Sequence, residues 1–361
     1  MTAKHFEQII VHVGQHKTGT THIQTTMNAN SDYLLSRGVY YPSVIEGVTG
    51  HHGLVRQFYD PSDKALEKAF FGSPGDDELI LSALETQTDA RIAVLSSEGL
   101  LTNLGANIER MRALDERLCR LAKSVRYVAY LRDPVSGFPS ACSQALIRSA
   151  ILPRSNWAFK LSLSPLIKLH GLVGDRLDVR VYDRTAFPGG DVMEDFLAGA
   201  IGVDIRAADL AASASNSNVS LSAEGMYLVQ SIAFARQLTD PRNFPVHHAD
   251  TLQWAQFLRR VGSRQNDHRS ARMKPGIAEL IVSASVDEMN ELRKTFGMDF
   301  GLPSGGSLDR EKSRPLYYQL VRNVFVVDPD RTVALAETVR NHPKCPDALR
   351  DALARVTMPA E

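Results

Sequence analysis

One stretch limits the fold of this chain more than any other. Residues 8–13, Q-I-I-V-H-V, are apolar at nearly every position and rich in β-branched side chains, and Gly14 follows at once. An unbroken apolar run fits a strand covered on both faces. After a polar Gly/Thr-rich turn, the pattern from about Thr20 to Ser36 becomes helical, with Ile23, Met27, Leu34 and Leu35 facing inward and Gly38 as the stop. Strand, glycine turn and helix make the first half of a βαβ unit. Further strands are expected at 91–95, 124–131 and 177–182, separated by helical patterns at 78–86, 108–122, 134–149, 165–173 and 191–201. That alternation predicts an α/β fold with an open parallel sheet flanked by helices. Ligands of such sheets sit beyond the carboxyl ends of the strands. Three of these ends carry polar residues: 14–21, 96–98 and 132–134.

After about Ala211 the composition changes. A small polar stretch, S-A-S-N-S-N-V-S-L-S (213–222), leads into a mostly helical remainder, with helices expected at 222–238, 249–261, 276–296, 315–324 and 346–356. Two regions are therefore expected, an α/β core over 1–212 and a helical part over 213–361. The chain of 361 residues is long enough for both, and 43% hydrophobic residues supply a sizeable core.

The strongest local signal is G-Q-H-K-T-G-T-T, Gly14 to Thr21. Gly14, Gly19 and the hydroxyl of Thr21 have the Walker A spacing, but Thr20 stands where the lysine of that motif belongs, and the lysine comes earlier, at Lys17. Backbone amides of such a loop at a helix N-terminus cradle an anion, and Lys17 reaches the same phosphate from across the loop.

K-T-G-T-T after an apolar strand resembles the 5′-phosphosulfate loop of the sulfotransferases that use 3′-phosphoadenosine 5′-phosphosulfate (PAPS), a P-loop-like fold with the same displaced lysine. A second segment, Y-V-A-Y-L-R-D-P-V-S-G-F-P-S (127–140), resembles that family's 3′-phosphate signature: an arginine at a strand end, Arg132, and a serine eight residues on, Ser140. A guanidinium fork and a hydroxyl suit a phosphate. The likeness continues more weakly through L-D-V-R-V-Y-D-R (177–184), 191–203 and N-V-S-L-S (218–222), and is nearest to bacterial members. The family's C-terminal phosphate loop has no clear counterpart. The nearest basic turn, R-R-V-G-S-R, offers Arg259, Arg260 or Arg264, with a solvated helix face as the competing reading.

The resemblance implies a donor site made of Gly14, His16, Lys17, Thr18, Gly19, Thr20, Thr21, Arg132 and Ser140. It implies PAPS as donor co-substrate, Lys17 stabilising the leaving phosphate, and a general base. Glu98, just past the strand at 91–95, is the first choice of base, with its carboxyl expected to rise on burial; helix capping is the competing role. His52 of G-H-H-G (50–53) is the second choice, ahead of His51. No acidic metal ligand is evident at a strand end apart from Asp133, so no metal is expected. The acceptor implied is a carbohydrate or glycolipid hydroxyl, with an amine, a phenol or a small metabolite left open; Trp157 and Phe159 are candidates to line its cleft.

Equal numbers of basic and acidic residues, 41 of each, argue against a nucleic-acid coat. Cys119, Cys142 and Cys345 have neither disulfide nor zinc spacing. With no signal-peptide pattern and no membrane-length apolar run, the expected location is cytoplasmic. Three other classes compete: a P-loop nucleotide kinase or hydrolase, a nucleotide-binding relative without turnover, and a polysaccharide-binding scaffold, which the low aromatic content of 7% disfavours.

Overall fold

The computed structural model describes residues 5–58, 73–103, 108–148, 151–153, 157–211, 219–239, 249–264, 268–302 and 320–356. The chain divides into two compact units. The first comprises Met1–Asp133, Lys160–Ser215 and Lys294–Met298, and the second Pro134–Phe159, Asn216–Arg293 and Asp299–Glu361. The composition change near 212 falls close to one of these breaks. The helix Pro134–Arg148, expected with the α/β core, belongs to the second unit, because its apolar face packs on later helices.

The first unit is a five-stranded sheet, all parallel, in the order β2-β3-β1-β4-β5, with helices on its faces. Its strands are β1 (Phe6–His12), β2 (Val39–Tyr40), β3 (Ile92–Ser96), β4 (Ala122–Leu131) and β5 (Leu177–Val181). Phe6, Ile9, Ile10 and Val11 of β1 are fully buried. Each apolar side chain so buried contributes roughly 1.5–3 kcal/mol. This explains why the central strand reads as a mainly apolar run. β2 escaped the sequence reading because two residues carry no periodicity.

The expected helix over 20–36 is two helices, α1 (Thr20–Ala29) and α2 (Ser31–Ser36). They part at Asn30, whose amide side chain bonds the carbonyl of Thr26 at 2.8 Å and so competes with the helix ladder. The segment 191–201 opens as an α-turn, Val192–Glu194, and continues as a π-helix, Asp195–Ile201.

The second unit packs helices Pro134–Arg148, Ala223–Thr239, Ala249–Gly262, Ile277–Ala284, Pro329–Arg340 and Asp347–Ala354 around one apolar core. The expected helix 276–296 breaks at the buried Ser285 into Ile277–Ala284 and Val286–Phe296. Of the expected helix at 315–324, Val321–Val324 is helical and 315–319 lies outside the described residues. Pro329–Arg340 went unread, although Asp328 caps it by accepting from the amide of Arg331. No helix among the described residues is long and apolar enough to cross a membrane.

Candidate active site

β1 lies at the centre of the sheet, with β3 on one side and β4 on the other. The chain crosses from one side to the other between these two neighbours, so the crevice of the sheet opens at the carboxyl end of β1. The Gly14–Thr21 loop occupies that place. It stays tied to both neighbours: Val13 N–H donates to Val128 O at 2.9 Å, Gln15 N–H to Tyr130 O at 3.2 Å, and Ser97 N–H to His12 O at 2.9 Å.

The loop turns through left-handed backbone at Gly14 (φ 30°), Lys17 (φ 71°) and Gly19 (φ 79°). A Cβ on Gly19 would stand 2.9 Å from Val192 Cγ1, and one on Gly14 would stand 2.9 Å from Thr20 Oγ1, so both positions exclude a side chain. Lys17 is the one residue other than glycine with positive φ among the described residues. Holding it there costs about 1–2 kcal/mol, as for any L-residue in this region. Thr18 locks the bend by donating its hydroxyl to Gln15 O at 2.6 Å. Gln15 Oε1 accepts the backbone N–H of Arg132 at 2.8 Å, which joins the loop to the end of β4. Gly19 is the N-cap of α1 and no side chain caps that end, so the first-turn amides present a positive edge.

Glu98 opens the short helix Glu98–Asn103 immediately after β3. Its Oε2 accepts from Gln24 Nε2 of α1 at 3.1 Å and lies 4.0 Å from His52 Nδ1, while its Oε1 lies 3.9 Å from His16 Nδ1 in the loop. Burial pushes the carboxyl up, but His52, its own backbone amide, His16 and Gln24 together hold it below its ordinary value. The expectation of a raised carboxyl is therefore corrected: the partners outweigh the desolvation, and Glu98 is ionised at neutral pH. Ser97 Oγ lies 3.3 Å from the same Nδ1 of His52. His52 Nε2 has no hydrogen-bond partner among the described residues, and the ring is part-exposed.

The two adjacent histidines separate cleanly. His51 is buried, accepts Ser96 N–H on Nδ1 at 2.9 Å and therefore donates from Nε2 to Pro42 O at 3.0 Å. Burial lowers it to about 4, and it serves as a neutral brace. His12 is also buried and lowered to about 4 by desolvation, with Nδ1 2.8 Å from Ser96 Oγ. Its Nε2 and the Thr20 hydroxyl are buried without a hydrogen-bond partner among the described residues, and both face Gly14.

Arg132 is half-buried at the end of β4, with its guanidinium 5.7 Å from the centroid of the Tyr182 ring. Burial lowers its pKa, the main opposing influences being Tyr182 and Asp133. Ser140 belongs to the second unit, where its Oγ lies 3.2 Å from Ser220 Oγ. The serine of the second signature and the N-V-S-L-S segment thus meet. Arg259 and Arg260 are in the last turn of Ala249–Gly262, also in that unit, with Arg264 just beyond it. Trp157 and Phe159 stand in the first turn of Trp157–Val173.

Within the first unit the structure brings together the loop, Glu98, His52 and the Arg132 strand end. Gln15 and Gln24 were missed, although Gln24 follows Thr20 by four residues and so shares its helix face. Tyr182 and Arg184 stood in a quoted segment with no role attached. Among the described residues, no group of three or more His, Cys, Asp or Glu is placed to hold a metal ion.

No family model and no curated protein matches this chain. Among solved structures it is similar to the crystal structure of a sulfotransferase from Alicyclobacillus acidocaldarius, with 13% identity over 81% of this chain and 96% of that one, and a TM-score of 0.39. Likeness of that degree is too distant to equate the two molecules.

Proposed function

We propose that this chain is a sulfotransferase that moves a sulfuryl group from PAPS to an acceptor hydroxyl, or to an amine. One observation carries the reading. Lys17 sits at the crest of an anion-cradling loop in a left-handed conformation, and the neighbouring His16 faces an ionised Glu98 that also bears on His52. A lysine held at that backbone expense beside a carboxylate–imidazole pair suits group transfer to a hydroxyl.

In this reading the amides of residues 17–21 and the Thr21 hydroxyl bind the donor's 5′-phosphate, while the buried Thr20 hydroxyl faces Gly14 and Thr20 contributes through its amide. Lys17 stabilises the charge that grows on the bridging oxygen as that phosphate leaves. Arg132 takes the 3′-phosphate, and the part expected of Ser140 rests on the resemblance alone. Glu98 and His52 receive the acceptor's proton: Glu98 and Ser97 bear on Nδ1, which leaves Nε2 to face outward. The chemistry is positioning and charge stabilisation, as in phosphoryl transfer. The acceptor, a carbohydrate or glycolipid, rests on the resemblance alone, and the cytoplasmic setting on the sequence pattern.

A nucleotide kinase or hydrolase is the competing reading. Thr20 in place of the usual lysine disfavours it, as does a Glu98 whose oxygens face Gln24, His52 and His16.

The test is a thermal-shift titration with 3′-phosphoadenosine 5′-phosphate, with ATP and magnesium as control. Ligand at 100 times its dissociation constant adds about 2.7 kcal/mol of stability. The expected result is a shift with the bisphosphate that weakens in Lys17→Ala and Arg132→Ala. A shift with ATP and magnesium but none with the bisphosphate would overturn the proposal.

A further inference from the structure

Arg184 follows the end of β5 by three residues and received no role from the sequence. Its Nε donates to the Tyr182 hydroxyl at 3.2 Å. The face of the same ring carries the Arg132 guanidinium, 5.7 Å from the centroid. One tyrosine therefore holds two arginines, one by its ring and one by its hydroxyl, and the two cations repel each other. The ring is buried, and it packs where the loop begins α1: its Cε2 and hydroxyl lie 3.2 and 3.6 Å from the place a Cβ on Gly19 would take.

The carboxylates that bear on this pair are Asp133, at Arg132, and Asp191, at Arg184. Asp191 already accepts the amide of Met193 at 2.9 Å and lies 3.2 Å from His22 Nε2. Arg184 makes no ion pair with a carboxylate among the described residues, and its two terminal nitrogens have no hydrogen-bond partner there. The two guanidiniums repel each other across the ring, and an anion bound between them would offset that repulsion. Arg184 is exposed and presents the free edge of its fork, the geometry that takes two oxygens of a phosphate at once.

We infer that Arg184 binds, together with Arg132, a second phosphate of the ligand whose first phosphate lies in the Gly14–Thr21 loop. The inference rests on the donor reading above and deepens it. Arg184 supplies a guanidinium from within the α/β unit, where the sequence offered only Arg259, Arg260 or Arg264. It makes the site selective for a nucleotide with two separate phosphate groups over one with a 5′-phosphate alone.

The experiment is calorimetric titration of the full chain with 3′-phosphoadenosine 5′-phosphate and, separately, with adenosine 5′-monophosphate. Wild type is expected to prefer the bisphosphate. In Arg184→Gln the bisphosphate should weaken by about tenfold or more, as for loss of a charge-assisted bond, with the monophosphate unchanged. Arg184→Lys should recover part of the loss, since it restores the charge and not the fork. Tyr182→Phe, which keeps the ring and removes the hydroxyl that orients Arg184, should show a smaller loss in the same direction. Equal weakening of both ligands in Arg184→Gln would overturn the inference, because the residue would then serve the loop or the fold. So would unchanged binding of both. Wild type that does not distinguish the two nucleotides would overturn the donor reading itself, and the inference with it.

Discussion

His12 and Ser96 meet across the two central strand ends, Nδ1 to Oγ at 2.8 Å, where the register pairs them directly. Ser96 in turn donates its amide to His51 Nδ1, and its carbonyl accepts from Gln24 Nε2 at 3.3 Å. One residue at the end of β3 thus ties β1, the histidine segment and α1 to the strand that leads into Glu98.

This knot makes stability depend on pH. His12 and His51 are both held neutral by burial, at about 4 against an ordinary 6.5. The unfolded chain therefore binds more protons between those values. Stability should be complete above about pH 6.5 and fall as the pH drops towards 4, by on the order of 3 kcal/mol for each histidine. Glu98, held below its ordinary value, adds a loss in the same direction at still lower pH. Urea midpoints measured across that range should show the slope, and His51→Gln should flatten it. A profile that is level in wild type would refute the assignment.

Lys17 separates backbone strain from chemistry. Lys17→Gly relieves the left-handed conformation and Lys17→Ala does not, so the glycine variant should be the more stable by about 1 kcal/mol. Both should lose turnover of labelled donor by about 10²–10³-fold, because each lacks the ammonium group. Comparing melting temperatures with turnover distinguishes the two effects; equal melting of the variants would remove the strain argument.

Glu98 and His52 should behave as one unit. Glu98→Gln and His52→Asn each should lower turnover by about 10²-fold or more while leaving bisphosphate binding intact. The double variant should be no worse than the weaker single variant, as for groups that share one task. Multiplying losses would mean that the two residues act separately.

Asp115 is a structural counterpart within the α/β unit. It is buried, receives both terminal nitrogens of Arg176 at 2.7 Å, and accepts the Tyr127 hydroxyl at 2.9 Å. Asp115→Ala leaves a buried phenol and a part-exposed guanidinium without their acceptor, and should destabilise the fold by about 1–3 kcal/mol. Denaturant unfolding would measure the loss; one below about 1 kcal/mol, the value of an exposed pair, would show that solvent already screens the pair.

The sequence by itself determined the elements whose burial is uniform or periodic. β1 is apolar at most positions, with Phe6, Ile9, Ile10 and Val11 fully buried between covering helices, and four of the five strands and the Gly14–Thr21 turn followed from such patterns. Lys17 was legible as a displaced lysine because loop residues are adjacent in the chain. Tertiary structure decided whatever depends on partners far apart in sequence. Only folding shows that His52 faces Glu98 while His51 turns to Pro42, since adjacent residues point differently once a turn is set. Only folding reverses the direction of the Glu98 carboxyl, because its opposing partners, His16, Gln24 and His52, come from a loop, a helix and a 3₁₀ turn. Only folding sets Arg184 and Arg132 on one tyrosine, Tyr182, across a separation of Arg132 from the other two that no local pattern encodes.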